Sequence, residues 1–213
     1  MSRIAIFGGT FDPVHWGHLF MAQTALSERS LKRVIWVPSP YPPHKFSSSR
    51  LGIEHRVSMV QLAIASHPAF SLFYNKSDSN SPDYAIDTFE RLQSLYPDCQ
   101  WNWIIGLDAF SSLPRWYQRE RLIPAVNWLV APRLASGLLT SPEDSATAQL
   151  KQVTQQLAEQ GIPIRSEILP MPRVDISSTL IRRLCRQSRT VRYLVPEEVR
   201  AYITNHRLYS ESD

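Results

Sequence analysis

Cysteine is scarce. Cys99 and Cys185 are the only two in 213 residues, they lie far apart, and neither belongs to a C-x-x-C pair, which argues against a disulfide framework or a cysteine zinc site. Long apolar runs are missing too: no stretch reaches the ~20 residues of a membrane span. The N-terminus lacks the basic region, apolar stretch and small-residue cleavage site of a secretory leader. The expectation is a soluble cytoplasmic protein with no membrane partner. Internal repeats, heptad arrays and an interdomain linker are also absent, so residues 1–213 are expected to form a single domain, with 176–209 as its closing C-terminal helical segment.

Excess charge is slight. The formal net charge is +4 and acidic residues are interspersed along most of the chain, so nucleic acid is not an expected partner. One basic cluster stands out, Arg182, Arg183, Arg186, Arg189 and Arg192 in "IRRLCRQSRTVR". It reads either as a solvated helix face or as an anion site.

What is present is an alternation of short apolar runs with segments of helical period, the pattern of βα units and a mostly parallel sheet. The expected strands are Arg3 to Phe7, Arg33 to Val37, Phe70 to Phe73, Trp101 to Ile105, Trp128 to Ala131 and Ser166 to Leu169. The stretches "LFMAQTALSE", "EHRVSMVQLAIAS", "YAIDTFERLQSLY" and "DSATAQLKQVTQQLAEQ" read as helices between them, and "SSTLIRRLCRQ" and "PEEVRAYITNH" as two closing helices. Three loops, "PSPYPPHKFSSS", "NKSDSNSPD" and "RLASGLLTSPEDS", are rich in Pro, Ser and polar residues. The first two are expected beyond the carboxyl ends of strands, where ligands bind in open α/β sheets.

Two helix starts look ready for an anion. In "IAIFGGTFDPVHWGHL" a buried strand runs into Gly8, Gly9 and Thr10, whose backbone N–H groups can approach a phosphate at the positive end of the next helix. His15 and His18 share a face of its first turn, and no acid there offsets the helix dipole. The stretch is neither G-x-x-x-x-G-K-[ST] nor G-x-G-x-x-G, so a P-loop NTPase and an ordinary dinucleotide binder are both disfavoured. In "VDISSTLIRR", Ser177 can cap a helix, but Leu180 stands where a reciprocal capping box needs Glu or Gln. Ser178 and Thr179 then place spare hydroxyls in the first turn, and Arg182 and Arg183 put positive charge near a helix start with no acid of its own.

In order along the chain, "GGTFDPVHWGHL", "PPHK", "GLDAF...LPRWYQRERL", "VDISSTLIRR" and "YLVPEEVRAYITNHRLY" resemble the nicotinate mononucleotide adenylyltransferase family, within the nucleotidyltransferase superfamily that carries an H-x-G-H signature. The resemblance implies an α/β, Rossmann-like sheet with helices on both faces and a C-terminal helical segment. It implies adenylyl transfer from ATP to nicotinate mononucleotide, giving deamido-NAD and pyrophosphate in NAD biosynthesis, with Mg²⁺ held mainly through the ATP phosphates. Such an enzyme needs in-line positioning and charge neutralisation, and no covalent intermediate.

By that similarity Gly8, Gly9, Thr10, His15 and His18 meet the ATP phosphates, His18 stabilising charge as pyrophosphate leaves, and Lys45 closes onto phosphate from "PPHK". Ser177, Ser178, Thr179 and Arg182 match a second phosphate motif, and Gly106 and Asp108 lie near the adenosine. The mononucleotide falls to Thr10, Lys45, Tyr84, Ala85, Trp116, Tyr117 and Arg133, with Trp116 and Tyr117 stacking the nicotinate ring and offering backbone N–H to its carboxylate. Where the family commonly reads S-Y-T-x-D-T this chain reads "DYAIDT": Ala85 replaces a threonine, while Tyr84, Asp87 and Thr88 keep the pattern.

Ala85 leaves open an adenylyltransferase for nicotinamide mononucleotide or for both pyridine nucleotides. Phosphopantetheine adenylyltransferase shares H-x-G-H but does not account for "LPRWYQRERL", and a class I aminoacyl-tRNA synthetase is disfavoured by the length and the missing K-M-S-K-S. A nucleotide-binding regulator without turnover is the alternative from another class. Self-association into a homo-oligomer is compatible with the sequence.

Overall fold

Strands buried on both faces of a parallel sheet read as continuous apolar runs, and the runs of this chain do become strands. In the computed structural model, which describes residues 1–39, 51–74, 84–132, 142–172 and 174–210, they are β1 (Ser2–Gly9), β2 (Arg33–Pro38), β3 (Phe70–Leu72), β4 (Cys99–Gly106), β5 (Asn127–Ala131) and β6 (Arg165–Ile168). They form one six-stranded, all-parallel, Rossmann-like sheet in the order β3-β2-β1-β4-β5-β6. In register, Phe7 faces Ile104 and Ile105 faces Val130. The order reverses between β1 and β4, the strands that run into "GGT" and "GLD".

The eight helices assigned among the described residues are α1 (Trp16–Glu28), α2 (Ile53–Ile64), α3 (Ala85–Leu95), α4 (Leu107–Phe110), α5 (Arg119–Leu122), α6 (Pro142–Glu159), α7 (Ser178–Arg186) and α8 (Glu197–Asn205). The six long ones match the periodic stretches of the sequence, with α1 starting three residues earlier than its apolar period. The segment between β4 and β5 departs from expectation: α4, α5 and two 3-10 turns, Leu113–Arg115 and Ile123–Ala125, fill what carries no legible period. Each 3-10 turn has proline near its start, which suits a first turn and ends longer helices.

Two compact units interleave along the chain. The first comprises Met1–Phe7, Met21–Val34 and Asp83–Val174. Its core is rich in tryptophan: the Trp103 and Trp128 rings stack with centroids 5.6 Å apart, and Trp116 stands edge-on to both at 6.1 and 5.9 Å. Trp128 satisfies its indole N–H on the Ile123 carbonyl at 3.1 Å, and buried Asn102 donates to Ile4 O at 3.2 Å.

The second unit comprises Gly8–Phe20, Ile35–Pro82 and Asp175–Asp213. Here α2 packs on α8, burying Met59, Val60 and Ile64 on one side and Val199 and Ile203 on the other. His55 Nδ1 and Tyr202 Oη lie 3.0 Å apart at that seam. Both cysteines are free and half-buried. Burial pushes the Cys185 thiol up, which favours its protonated form. No helix among the described residues is long and apolar enough to cross a membrane.

Candidate active site

The turn after β1 is shaped by two close approaches. A Cβ on Gly9 would stand 2.8 Å from the Phe11 ring, so any side chain there would force the buried ring to move. Phe11, held at φ 48°, is buried and packs edge-on against His18 with centroids 5.1 Å apart and tilted against Trp36 at 5.2 Å. A Cβ on Gly17 would meet His15 Nδ1 at 3.0 Å. That contact is a physical reason for the glycine of the H-x-G-H spacing: the first histidine lies over it.

His15 is nearly buried and immediately precedes α1, its carbonyl accepting from His18 N–H at 2.9 Å and Leu19 N–H at 3.3 Å. The two imidazoles stack with centroids 3.7 Å apart and planes 25° apart. The His15 backbone N–H donates to His18 Nδ1 at 3.3 Å. A neutral His18 therefore carries its proton on Nε2, which makes that atom a donor. With no acid in its first turn, α1 keeps the positive end of its dipole uncompensated.

The N-terminus of α7 is tied to the same turn. Ser177 caps it as expected, its Oγ accepting from Leu180 N–H at 3.1 Å. The expectation of a spare hydroxyl needs correction at Ser178, whose Oγ donates to Pro13 O at 2.9 Å, and the Arg182 charge is not idle either, since its Nη1 donates to Asp12 O at 2.7 Å. The helix also has a nearby anion after all, since Asp12 Oδ2 lies 3.8 Å from Arg182 Nη1. Thr179 is exposed and accepts weakly from Arg182 Nη2 at 3.4 Å. On its other side Asp12 Oδ1 accepts from Tyr209 Oη at 2.7 Å. Burial, reinforced by the Asp12 charge, drives the Tyr209 phenol far above its usual value and keeps it a donor.

Arg56 of α2 is 2% exposed and clamps three chain segments by their carbonyls: Nη1 donates to Thr10 O at 2.7 Å and Ser39 O at 2.8 Å, and Nε donates to Leu51 O at 3.1 Å. The turn after β1 is thus fastened from two directions, by α2 through Arg56 and by α7 through Ser178 and Arg182.

In the first unit, Gly106 ends β4 at φ −75°, ψ 152°, a conformation open to any residue. A Cβ there would meet nothing within 4 Å. Neither strain nor crowding within the protein demands this glycine. Asp108, two residues on, is exposed in the first turn of α4. Tyr84 occupies the N-cap position of α3, next to Ala85, and its ring lies 4.2 Å from that of Tyr117, which is 52% exposed. Gln118, at φ 47°, donates to Tyr117 Oη at 3.0 Å. Trp116 is held differently: its indole N–H donates to Ser112 Oγ at 2.8 Å and its ring abuts the Trp103–Trp128 stack.

The family model described as cytidylyltransferase-like matches residues 6–184. A protein of Trichormus variabilis named probable nicotinate-nucleotide adenylyltransferase is 48% identical over 213 residues, covering 99% of both chains, and one of the same name from Symbiobacterium thermophilum is 38% identical over 98% of this chain and 96% of its own. The chain belongs to the nicotinate-nucleotide adenylyltransferase family. Its fold is also that of the Plasmodium falciparum nicotinic acid mononucleotide adenylyltransferase, solved complexed with APC and with NaAD: TM-scores are 0.71 and 0.70 at 16% and 17% identity, each covering 98% of both chains.

As a member of this adenylyltransferase family the chain divides its expected site residues into two described groups. Gly8, Gly9, Thr10, His15, His18, Ser177, Ser178, Thr179 and Arg182 belong to the second unit, and Tyr84, Ala85, Gly106, Asp108, Trp116 and Tyr117 to the first. Lys45 and Arg133 lie outside the described residues. Sequence reasoning missed Arg56, Asp12 and Tyr209. Arg56 did leave a signal, because 56, 59, 60 and 64 share one helix face and a charge on that otherwise apolar stripe calls for buried acceptors. Asp12 and Tyr209 left none.

Proposed function

We propose that the protein transfers the adenylyl group of ATP to nicotinate mononucleotide. A 5′-phosphate oxygen of the mononucleotide attacks the α-phosphorus, the bond from that phosphorus to the bridging β-phosphate oxygen breaks, and pyrophosphate leaves with deamido-NAD as the other product. The observation that carries this reading is the stacked His15–His18 pair at a helix start with no acid in its first turn, preceded by a turn whose Asp12 and Pro13 carbonyls accept from a second helix that has no acid in its own first turn.

The chemistry asks for donors fixed before the reaction rather than for a nucleophile. His18 Nε2–H serves the charge that grows on the departing pyrophosphate, and His15, the backbone N–H groups of Gly8 to Thr10 and Arg182 serve the other phosphate oxygens. Ser177 through Thr179 contribute backbone N–H groups at the start of α7, and Lys45 adds a cation in this assignment. These groups complement phosphate and not a cation, so Mg²⁺ fits as an ion borne on ATP by phosphate oxygens and water, where it neutralises charge on the transferring group. Gly106 gives the adenosine room, and Asp108 accepts from ribose hydroxyls. The reaction is assigned to the cytoplasm, where ATP is abundant.

Tyr84, Ala85, Trp116, Tyr117 and Arg133 are assigned to the mononucleotide. The exposed Tyr117 ring, packed on Tyr84, is better available to a pyridine than Trp116, whose edge and N–H are already engaged. A carboxylate needs donors alone, whereas an amide also needs an acceptor; Ala85 removes a donor and supplies no acceptor, so the acid is preferred. The same loss of a donor is the specific reason to test a dual-specificity enzyme. Initial rates of pyrophosphate release with nicotinate and nicotinamide mononucleotides, each with Mg²⁺·ATP, are expected to favour the acid roughly tenfold or more in kcat/KM, and Ala85→Thr to widen the gap. Equal or better use of the amide refutes the acid assignment, and no pyrophosphate from either refutes the reaction.

A further inference from the structure

Asp12 is 2% exposed, and a buried charge persists only where hydrogen bonds or a counter-ion compensate its lost hydration. Its two oxygens are served unequally. Oδ1 takes the Tyr209 hydroxyl at 2.7 Å, while Oδ2 stands 3.8 Å from Arg182 Nη1, beyond hydrogen-bond distance. Arg182 meets Asp12 instead through the main chain, donating to its carbonyl at 2.7 Å. The guanidinium is thereby oriented without being consumed, and it remains 26% exposed.

We propose that Tyr209 is a positioning residue for ATP: by satisfying the Asp12 carboxylate it keeps that acid from drawing Arg182 into a closed ion pair, and so leaves the arginine available to the polyphosphate. The proposal rests on the adenylyltransferase reading above. Its logic is competition. An arginine that lies beside a buried carboxylate has two suitors, the acid and the phosphate, and a planar fork closes readily on a carboxylate in bidentate fashion. The Tyr209 hydroxyl is the one side-chain hydroxyl donor seen on that carboxylate among the described residues. Remove it and the Arg182 guanidinium, 3.8 Å from Oδ2, is a cationic donor already beside the acid.

The phenol suits this task better than a second cation would. It hydrogen-bonds the acid without cancelling its charge, and its own proton is held firmly by burial beside that charge. The ring fills space at the end of the chain, where Tyr209 is buried together with Leu208. Tyr209→Phe keeps the ring and deletes only the hydroxyl, which separates the hydrogen bond from the packing.

The test measures Mg²⁺·ATP affinity by calorimetry alongside steady-state kinetics for wild type, Tyr209→Phe, Asp12→Asn and the double variant, with thermal unfolding as a check on folding. Tyr209→Phe is expected to raise both Kd and KM for ATP roughly five- to tenfold while KM for nicotinate mononucleotide stays within about twofold. Adding Asp12→Asn to Tyr209→Phe is expected to restore ATP affinity to within about threefold of wild type, because a neutral amide no longer sequesters the arginine. A purely structural tyrosine would lower the melting temperature and worsen both substrates alike, with no rescue, and that result overturns the proposal. Unchanged ATP affinity in Tyr209→Phe overturns it as well. If wild type binds Mg²⁺·ATP but releases no pyrophosphate, the adenylyltransferase reading fails, while the Kd series still decides the role of Tyr209; if wild type does not bind Mg²⁺·ATP, both fail.

Discussion

Replacing Arg56 with methionine removes the fork while keeping an unbranched apolar stem of similar reach on the buried face of α2. The carbonyls of Thr10, Ser39 and Leu51 then lose a donor, at 2.7, 2.8 and 3.1 Å in the native protein. An acceptor left unsatisfied costs about 1–3 kcal/mol when buried and less for part-buried carbonyls such as these, and removing a charge that was itself expensive to bury offsets part of the total. A net loss of roughly 3–5 kcal/mol is the expected result, in line with breaking other buried charged contacts. For a chain of this size about 2–4 °C of melting temperature goes with each kcal/mol, so the drop should be roughly 6–20 °C. Thermal unfolding followed by circular dichroism measures it. Arg56→Lys, with a single ammonium that cannot span three carbonyls, should fall between wild type and Arg56→Met. Because one of the carbonyls belongs to Thr10, in the turn proposed to meet phosphate, Arg56→Met should also lose pyrophosphate-releasing activity at temperatures where it remains folded. A melting temperature within 2 °C of wild type, together with normal turnover, would refute the clamp.

His18→Ala should lower kcat by roughly 10² while Mg²⁺·ATP binding changes only a few-fold, the mark of a donor used mainly in the transition state; near-normal turnover of the folded variant removes His18 from the chemistry. Gly106→Ala should leave the melting temperature unchanged, since its backbone angles are ordinary and a Cβ there touches nothing within 4 Å, yet raise KM for ATP at least threefold by intruding on the nucleoside. Unaltered ATP kinetics in Gly106→Ala would move the adenosine elsewhere.

Local pattern alone determined the strand and long-helix content. Apolar runs such as Ile4 to Phe7 and Ile104 to Ile105 are buried in the sheet, and the α7 cap at Ser177 follows from hydroxyl chemistry at a helix start. The glycines of "GGT" and the histidines of "HWGH" were legible too, because strand-to-helix turns and helix dipoles act over a few residues. Beyond that range the chain is silent. Four-residue helices between β4 and β5 are too short to show a period, and Trp116 is fastened by Trp103 and Trp128, which lie on two different strands. Ser178 looked like a spare hydroxyl and Arg182 like an unanswered charge because their acceptors, Pro13 and Asp12, sit 165 and 170 residues earlier. The Tyr209–Asp12 hydrogen bond spans 197 residues. Such pairs form only when the sheet and the closing helices bring distant backbone together, and a donor's identity carries no record of which far-off acceptor it will meet.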